Sequence, residues 1–436
     1  MNIPSNASAI APNRVGVEEH QVARRDVDAN ALNVTDTLSK AGFQALLVGG
    51  CVRDLLLGAK PKDFDVATSA TPEQVRELFR RSRLVGRRFR IAHVRFGRSE
   101  VIEVSTFRGA ATSSEADGQR HSEEGLILRD NVYGSLEEDA FRRDFTVNAL
   151  YYDPATEEVL DFVDGLSDLS TNRLRCIGEP AIRLREDPVR ILRALRFQAK
   201  LGLDLDPAMD EELDQAAEGL SAIPPARLFD EVSKMLMSGY AQNAWRRIED
   251  TAVRRVLFPN TPPEDELVDR AMANTDARIA AGKPVTPGFL LAVLLWYDYL
   301  ARSAEARQTK KPGEAAAVAA ADALSAQHQI ISIPRRFSQF VRDVWSLQRR
   351  LEDRYARNIT RLATHPRFRA AYDFLVLRAE SGEGQGIDEA ADWWTRYQDA
   401  DEETQREFIE GRRSSQPAKR KRRRRRPSRP GSSAGA

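Results

Sequence analysis

The chain reads as a multidomain α+β protein, with a mixed head, an all-α remainder and a basic disordered tail. Three observations carry this reading. The 436 residues are too many for one ordinary domain. Up to about residue 167, short β-branched runs alternate with capped helical segments, and beyond it helical patterns dominate to about residue 410. Charge is segregated: a formal net charge of +1 hides eleven Lys/Arg and no Asp/Glu from Arg412 onward, which leaves −10 on the preceding 411 residues. The expected divisions are a disordered segment 1–26, a head 27–167, a helical neck 168–260, a helical body 261–410 and a disordered Arg/Lys-rich tail 411–436.

Each element has a local reason. Residues 28–42 form a helical pattern stopped by Gly42, and 45–49 (ALLVG) a short buried strand. Residues 51–58 read as a helix ended by Gly58, and 64–68 (FDVAT) as a second strand. Thr71, Pro72 and Gln74 are an N-cap, a first-turn proline and a capping-box partner, so a helix starts there. The run 84–96 reads as the next strand, its part 91–96 pairing with 100–107 across Gly97-Arg98-Ser99. Residues 109–130 are polar and small and read as a flexible insertion. Residues 145–153 and 159–165 predict a helix and hairpin-like pieces that close the head. Further on, Pro/Gly breaks fall at 258–263, 282–288, 311–313, 333–334 and 381–386, and there is no internal repeat.

Two cysteines far apart, Cys51 and Cys176, are neither a disulfide framework nor a zinc spacing, and fit a reducing, cytoplasmic setting. The opening residues lack a basic stretch followed by an apolar one, so no secretory signal is expected. The longest apolar run, 289–297, is well short of the ~20 residues that span a bilayer and reads as a buried helix.

The chemistry concentrates around Asp63 and Asp65 in KDFDV. Alternation on a strand sends both carboxylates to one face and turns Phe64 and Val66 inward. Two solvated acids at a strand start would look the same. Just upstream, however, Gly49 and Gly50 stand between a strand and a helix, with Arg53 one turn on. Glycines admit close approach of a ligand, a helix start offers unpaired N–H groups to an anion, and an arginine adds a bidentate phosphate contact. A phosphate turn beside paired carboxylates is what a Mg²⁺–polyphosphate site needs, and the chemistry indicated is nucleotidyl transfer.

Four ordered motifs between Leu47 and Phe197 carry a resemblance: GG-x-V-R-D, K-D-F-D-V-A-T, R-R-D-F-T-V-N-A and E-D-P-V-R-I-L-R-A-L-R-F. They resemble the class II nucleotidyltransferases, the bacterial poly(A) polymerases and CCA-adding tRNA nucleotidyltransferases. The resemblance implies a polymerase-β-like nucleotidyltransferase head followed by an all-α neck and body. It implies that Asp63 and Asp65 hold the metal, that Gly49, Gly50 and Arg53 hold the triphosphate, and that Arg143 contacts the nucleotide. Asp144 matches an acid treated as catalytic, with Glu103 as its rival for the third carboxylate. Asp187 and Arg190 match the base-selecting pair. Their i, i+3 spacing would put both on one helix face, able to read a Watson–Crick edge without a template, though most such pairs are solvated salt bridges. Arg193 and Arg196 match phosphate-contacting arginines.

The run Gly86-Arg87-Arg88-Phe89-Arg90-Ile91-Ala92-His93-Val94 is similar to the poly(A) polymerase group rather than the CCA-adding one, and Arg87, Arg88 and Arg90 are candidate RNA contacts. The run KRKRRRRR, starting Lys419, Arg420, Lys421, Arg422, is expected to capture RNA phosphates without sequence preference. The tail is also a candidate docking segment for RNA-decay or RNA-chaperone proteins. The expectation is a Mg²⁺-dependent, template-independent enzyme that adds AMP from ATP to RNA 3′ ends in RNA processing and turnover, with a monomer favoured. A CCA-adding enzyme and an RNA-binding regulator on an inactive transferase fold are the alternatives.

Overall fold

The computed structural model describes residues 11–86, 90–97, 100–109, 119–121, 127–130 and 132–414. The strands before Gly165 are β1 (Asn13–Val15), β2 (Ala45–Val48), β3 (Asp65–Thr68), β4 (Ser82–Val85), β5 (Ile91–Phe96), β6 (Glu100–Thr106), β7 (Gln119–His121), β8 (Ile127–Asp130), β9 (Leu150–Asp153) and β10 (Glu158–Asp161). Eight of them form one sheet in the order β1-β10-β9-β2-β3-β6-β5-β4, in which only β3 and β6 run parallel, while β7 and β8 form a separate hairpin.

The first helices are α1 (Val17–His20), α2 (Ala29–Lys40), α3 (Gly50–Leu56), α4 (Pro72–Leu78), α5 (Leu136–Arg142) and α6 (Gly165–Ser170). Helices α2 and α4 pack on the sheet, burying Val34 and Leu38 from the first and Val75 from the second. Leu136 and Ala140 of α5 join a core with Leu46, Val48, Ala67, Tyr151 and Leu160. The predicted capping box of α4 is present, Thr71 accepting from the Gln74 amide and Gln74 from that of Thr71.

Three expectations need correction. Residues 13–26 are ordered rather than disordered: β1 pairs with β10, Val15 and Val22 are buried, and Arg24 ion-pairs with Asp36 at 2.7 Å. A polar segment is held here because a neighbouring strand edge satisfies its backbone, which periodicity does not reveal. The run 84–96 is two antiparallel strands, β4 and β5; Gly86 at φ +94° begins the reversal, and residues 87–89 lie outside the described residues. In 145–153 the expected helix is a single 3₁₀ turn, Thr146–Asn148, followed by β9.

Beyond Gly165 the chain is almost wholly helical: α7 (Pro180–Glu186), α8 (Val189–Leu201), α9 (Pro207–Ala216), α10 (Pro225–Leu236), α11 (Ala241–Ile248), α12 (Ala252–Leu257), α13 (Glu266–Ala280), α14 (Pro287–Leu294), α15 (Trp296–Ala306) and α16 (Pro312–Ile330). Then come α17 (Arg335–Asp353), α18 (Ile359–Ala363), α19 (Phe368–Glu380), α20 (Gln385–Asp399) and α21 (Glu402–Ser414). Each predicted Pro/Gly break falls at a boundary between two of these helices, those at 282–288, 311–313 and 381–386 running into the first residues of the next helix. The apolar run 289–297 spans α14 and the start of α15, and Leu290 to Trp296 are buried. The chain divides into two compact units, one to Phe337 and one from Ser338, the boundary falling inside α17. The second has its own core, in which Leu351, Ile359, Leu362, Leu375 and Trp394 meet. No helix among the described residues is long and apolar enough to cross a membrane. Both cysteines are buried thiols.

Candidate active site

The site begins with strand alternation. Phe64 and Val66 point into the core, at 9% and 0% exposure, so Asp63 and Asp65 face the other way, Asp63 exposed and Asp65 half-buried. The parallel pairing of β3 with β6 sets Asp65 beside Glu103, and the antiparallel pairing of β6 with β5 sets Glu103 beside His93. Registered partners project to one side of a sheet, so Asp65, Glu103 and His93 form a row on one open face. His93 Nε2 lies 3.3 Å from Glu103 Oε1. A cavity of about 290 Å³ opens on this face, lined among others by Asp65, Glu103, Ser105, Arg108, Arg142 and Arg143.

Burial, and then the charge of Glu103, push the Asp65 carboxyl up to about 6; Asp63 adds to the repulsion, and Arg143 offsets it only in part. Three carboxylates, Asp63, Asp65 and Glu103, thus act on one another at this face. The donor set is of hard oxygens, which suits a divalent cation bound by one or two carboxylates with water and phosphate oxygens completing its shell. Among the described residues no group of three or more His, Cys, Asp or Glu side chains is arranged to hold a metal ion by itself.

The glycine turn borders this cavity. Gly49 has φ +79° and ψ −128°, a conformation that L side chains rarely adopt, and a Cβ there would lie 3.6 Å from Arg143 Nη1. Arg143 is held by Asp139 at 2.9 Å and by the Tyr151 hydroxyl at 3.0 Å; these partners outweigh burial and keep its guanidinium firmly charged. Arg53, one turn into α3, is buried: Nη1 donates to Asn148 Oδ1 at 2.5 Å and Nη2 to Asp54 Oδ1 at 2.6 Å.

The Arg53, Arg193 and Arg196 guanidiniums lie 5.3, 5.4 and 4.6 Å from the centre of one ring, Phe197. Burial, and next the charge of Arg193, push the Arg196 guanidinium down; Arg53 adds to this. Arg196 Nε is buried without a hydrogen-bond partner. Two of the three guanidiniums around Phe197 are already paired, Arg53 with Asp54 and Arg193 with Asp144, so the unbalanced positive charge there is that of Arg196.

Asp144 lies elsewhere. Its Oδ2 accepts from Arg193 at 2.6 Å, and its Oδ1 accepts from the Phe145 amide at 2.9 Å and from Asn148 Nδ2 at 3.4 Å. Burial alone would raise its carboxyl, but Arg193 holds it below the usual range. The structure brings Glu103, not Asp144, beside Asp65, and ties Asp144 to the neck helix α8.

Asp187 and Arg190 do not share one helix face. Asp187 lies between α7 and α8, where Pro188 ends the α7 geometry, and the Arg190 amide donates to its carbonyl at 3.0 Å. Both side chains are buried, at 8% and 7% exposure, so the pair is not a solvated salt bridge. Asp187 Oδ2 accepts from Arg227 of α10 at 2.7 Å, and Arg190 donates to the Arg183 carbonyl at 2.5 Å. Ile191, Leu192, Leu195 and Phe197 face the core as expected.

Sequence reasoning missed Asn148, Arg183 and Arg227. Arg183 Nη2 donates to the carbonyls of Arg142 and Arg143 at 2.9 and 2.8 Å, which fixes the end of α5 against α7. These partners stand about forty or more positions away in sequence, beyond any local pattern. Arg90 ion-pairs with Glu73 at 2.9 Å on the sheet edge. Arg87, Arg88, Lys419, Arg420, Lys421 and Arg422 lie outside the described residues, as does most of the insertion 109–130.

This mixed sheet, with carboxylates on its open face and arginines on the adjoining neck helix, is a nucleotidyltransferase head. A family model described as the Poly A polymerase head domain matches residues 45–175. Others, described as the "Probable RNA and SrmB- binding site of polymerase A" and the polymerase A arginine-rich C-terminus, match 202–263 and 308–429. Poly(A) polymerase I of Escherichia coli O6:H1 is 45% identical over 394 residues, covering 87% of this chain and 84% of that one. Its counterpart in Haemophilus influenzae is 42% identical over 412 residues, 91% and 90% of the two chains. The CCA-adding enzyme of Streptococcus suis is 37% identical over 238 residues, only 54% of this chain and 56% of its own. Among solved structures, the apo form II of a CCA-adding enzyme aligns with a TM-score of 0.62 at 21% identity over 88% of this chain and 86% of that one, a likeness of fold. The chain belongs to the poly(A) polymerase I family, and it is a polynucleotide adenylyltransferase.

Proposed function

We propose that this enzyme extends RNA 3′ ends with AMP from ATP, using Mg²⁺ held by Asp63 and Asp65, with Glu103 as the third carboxylate of the face. The observation that carries the reading is one cavity lined by Asp65, Glu103 and Arg143, with Asp63 adding to its negative charge and the Gly49 turn lying against Arg143. Mg²⁺ bound with the triphosphate would lower the pKa of the primer hydroxyl and neutralise the leaving pyrophosphate.

The chain's own residues do the rest. Gly49 and Gly50 let the backbone approach the phosphates, while Arg143, Arg193 and Arg196 supply positive charge along them. Asp187 and Arg190, immobilised by Arg227 and the Arg183 carbonyl, present an acceptor and a donor to the adenine edge. Asp144 acts through Arg193, fixing the base-reading helix to the head. The primer 3′ hydroxyl attacks the α-phosphorus, the bond to the β-phosphate oxygen breaks, and pyrophosphate leaves. The Lys/Arg run from Lys419 holds RNA by its phosphates, and a cytoplasmic setting fits the two free, buried thiols.

The test is incubation of the full chain with Mg²⁺, a labelled unstructured RNA and single nucleoside triphosphates. Long ladders with ATP alone are expected. Addition confined to a tRNA lacking its CCA end, with a requirement for CTP, would replace this reading with that of a CCA-adding enzyme. No addition with any nucleotide would leave an RNA-binding regulator.

A further inference from the structure

The core next to the Gly49 turn contains two polar groups that packing does not require. Leu46, Val48, Phe107, Leu136 and Leu160 share an apolar cluster with the Tyr151 ring. Beside it lie the Tyr151 hydroxyl and the Asp139 carboxylate, on residues 0% and 3% exposed. Apolar side chains of similar size commonly serve stability as well as a buried ion pair does, or better. The reason for the polar groups therefore lies in what they hold.

They hold Arg143. The Tyr151 hydroxyl donates to Asp139 Oδ2 at 2.6 Å and accepts from Arg143 Nε at 3.0 Å. Arg143 Nε and Nη2 both donate to that same Oδ2, at 3.2 and 2.9 Å, which closes a triangle. Asp139 Oδ1 accepts from the Arg108 amide at 3.1 Å, so the carboxylate is fixed at both oxygens. Burial pushes the Tyr151 hydroxyl far above its ordinary value, and its proton stays on to be donated. Burial alone would raise the Asp139 carboxyl, but Arg143 and then the Tyr151 hydroxyl hold it below the usual range. The Arg143 guanidinium also stands 5.2 Å from the centre of the Tyr151 ring. Tyr151 of β9 registers with Val48, the last residue of β2 before Gly49, so the triangle and the turn share one strand pair.

The triangle uses one edge of the guanidinium and leaves the other. Arg143 Nη1 has no hydrogen-bond partner among the described residues, and a Cβ on Gly49 would lie 3.6 Å from it. The cavity that Arg143 lines also presents Asp65 and Glu103, and the charge of Arg143 already acts on Asp65. A guanidinium pairs readily with a carboxylate through two parallel hydrogen bonds. Released from Tyr151 and Asp139, Arg143 would turn onto those acids and leave the Gly49 turn without its cation.

We propose that Tyr151, acting through Asp139, is a positioning residue that holds Arg143 off Asp65 and Glu103 and aims its unused edge at the phosphates beyond the first of a bound nucleoside triphosphate. Tyr151 is itself fully buried and touches no substrate. The inference rests on the triphosphate lying in this cavity, as proposed above, but it is read by binding alone, apart from AMP addition.

The experiment is equilibrium dialysis of labelled ATP and labelled AMP against the full chain, with Mg²⁺ and without RNA. Wild type is compared with Tyr151→Phe, Arg143→Gln and the double variant. Tyr151→Phe keeps the ring in the core, so its melting temperature is expected to stay within a few degrees of wild type. It is expected to weaken ATP binding about fivefold, the worth of one hydrogen bond, and to leave AMP binding unchanged. Arg143→Gln is expected to weaken ATP about thirtyfold, and adding Tyr151→Phe to it to cost nothing more, because the tether then has nothing to hold. Asp139→Asn, which keeps the side-chain shape, cuts the triangle a second way and is expected to lose ATP but not AMP. Equal losses for ATP and AMP would reduce Tyr151 to a structural role. A Tyr151→Phe loss that persists in full beside Arg143→Gln, or wild-type ATP binding by Tyr151→Phe, would overturn the tether. A chain that shows the expected binding pattern but adds no AMP to RNA would sink the function proposed above and leave the tether standing.

Discussion

Removing the Asp65 charge should stabilise the metal-free enzyme while abolishing its activity. The carboxyl stands at about 6 against an ordinary 3.8, through burial and the neighbouring Glu103 and Asp63. At 1.36 kcal/mol per pH unit that rise corresponds to about 3 kcal/mol, and partial solvent access brings the expectation to about 1–3 kcal/mol. The sign follows from linkage. A carboxylate whose pKa is raised on folding favours the folded state while protonated, and that advantage is lost as pH rises from about 3.8 to about 6. Above this window wild type carries the full penalty, and Asp65→Asn carries none. Thermal unfolding at pH 8 should show the variant melting a few degrees higher in chelator. Added Mg²⁺ should raise the wild-type midpoint and leave the variant's nearly still, since an ion that binds only the folded state stabilises it by mass action. A variant that melts below wild type in chelator, or an equal Mg²⁺ response in both, would refute the charge argument.

Three further outcomes are expected. Asp144→Asn leaves the half-buried Arg193 without its nearest counter-charge; denaturant unfolding should show a loss of about 1–3 kcal/mol, and a double-mutant cycle with Arg193→Gln a coupling of similar size, since the pair shares a charge-assisted hydrogen bond. Gly49→Ala forces a side chain into a φ of +79°, and should cost about 1–3 kcal/mol of stability and raise the KM for ATP more than the KM for RNA. Truncation after Ser414, which spares the Arg412 hydrogen bonds to α17, should keep the melting temperature and flatten the salt dependence of RNA binding by roughly 0.7 for each phosphate the tail had neutralised; an unchanged slope would rule out RNA capture by the tail.

Local signals made much of this molecule legible. The Thr71–Gln74 capping box, the alternation around Asp65 and the five Pro/Gly breaks between later helices each depend on residues within a few positions. Local physics settles such features before any tertiary contact forms. The errors share the opposite cause. The segment 13–26 looked unstructured because its order comes from pairing with β10, more than a hundred residues away. Asp187 and Arg190 looked like one helix face because their spacing says nothing of a corner at Pro188, nor of Arg227 waiting on α10.

The sequence by itself determined the reaction class, since paired carboxylates, a glycine turn and spaced arginines are short-range patterns that metal–phosphate chemistry requires. Only the tertiary structure decided which further acid stands beside Asp65. Glu103 and Asp144 were open alternatives in one dimension. Parallel pairing of β3 with β6 puts Glu103 beside Asp65, and packing of α8 against the head gives Asp144 to Arg193. Register and helix packing are long-range outcomes of burying a common core, and no spacing along the chain encodes them.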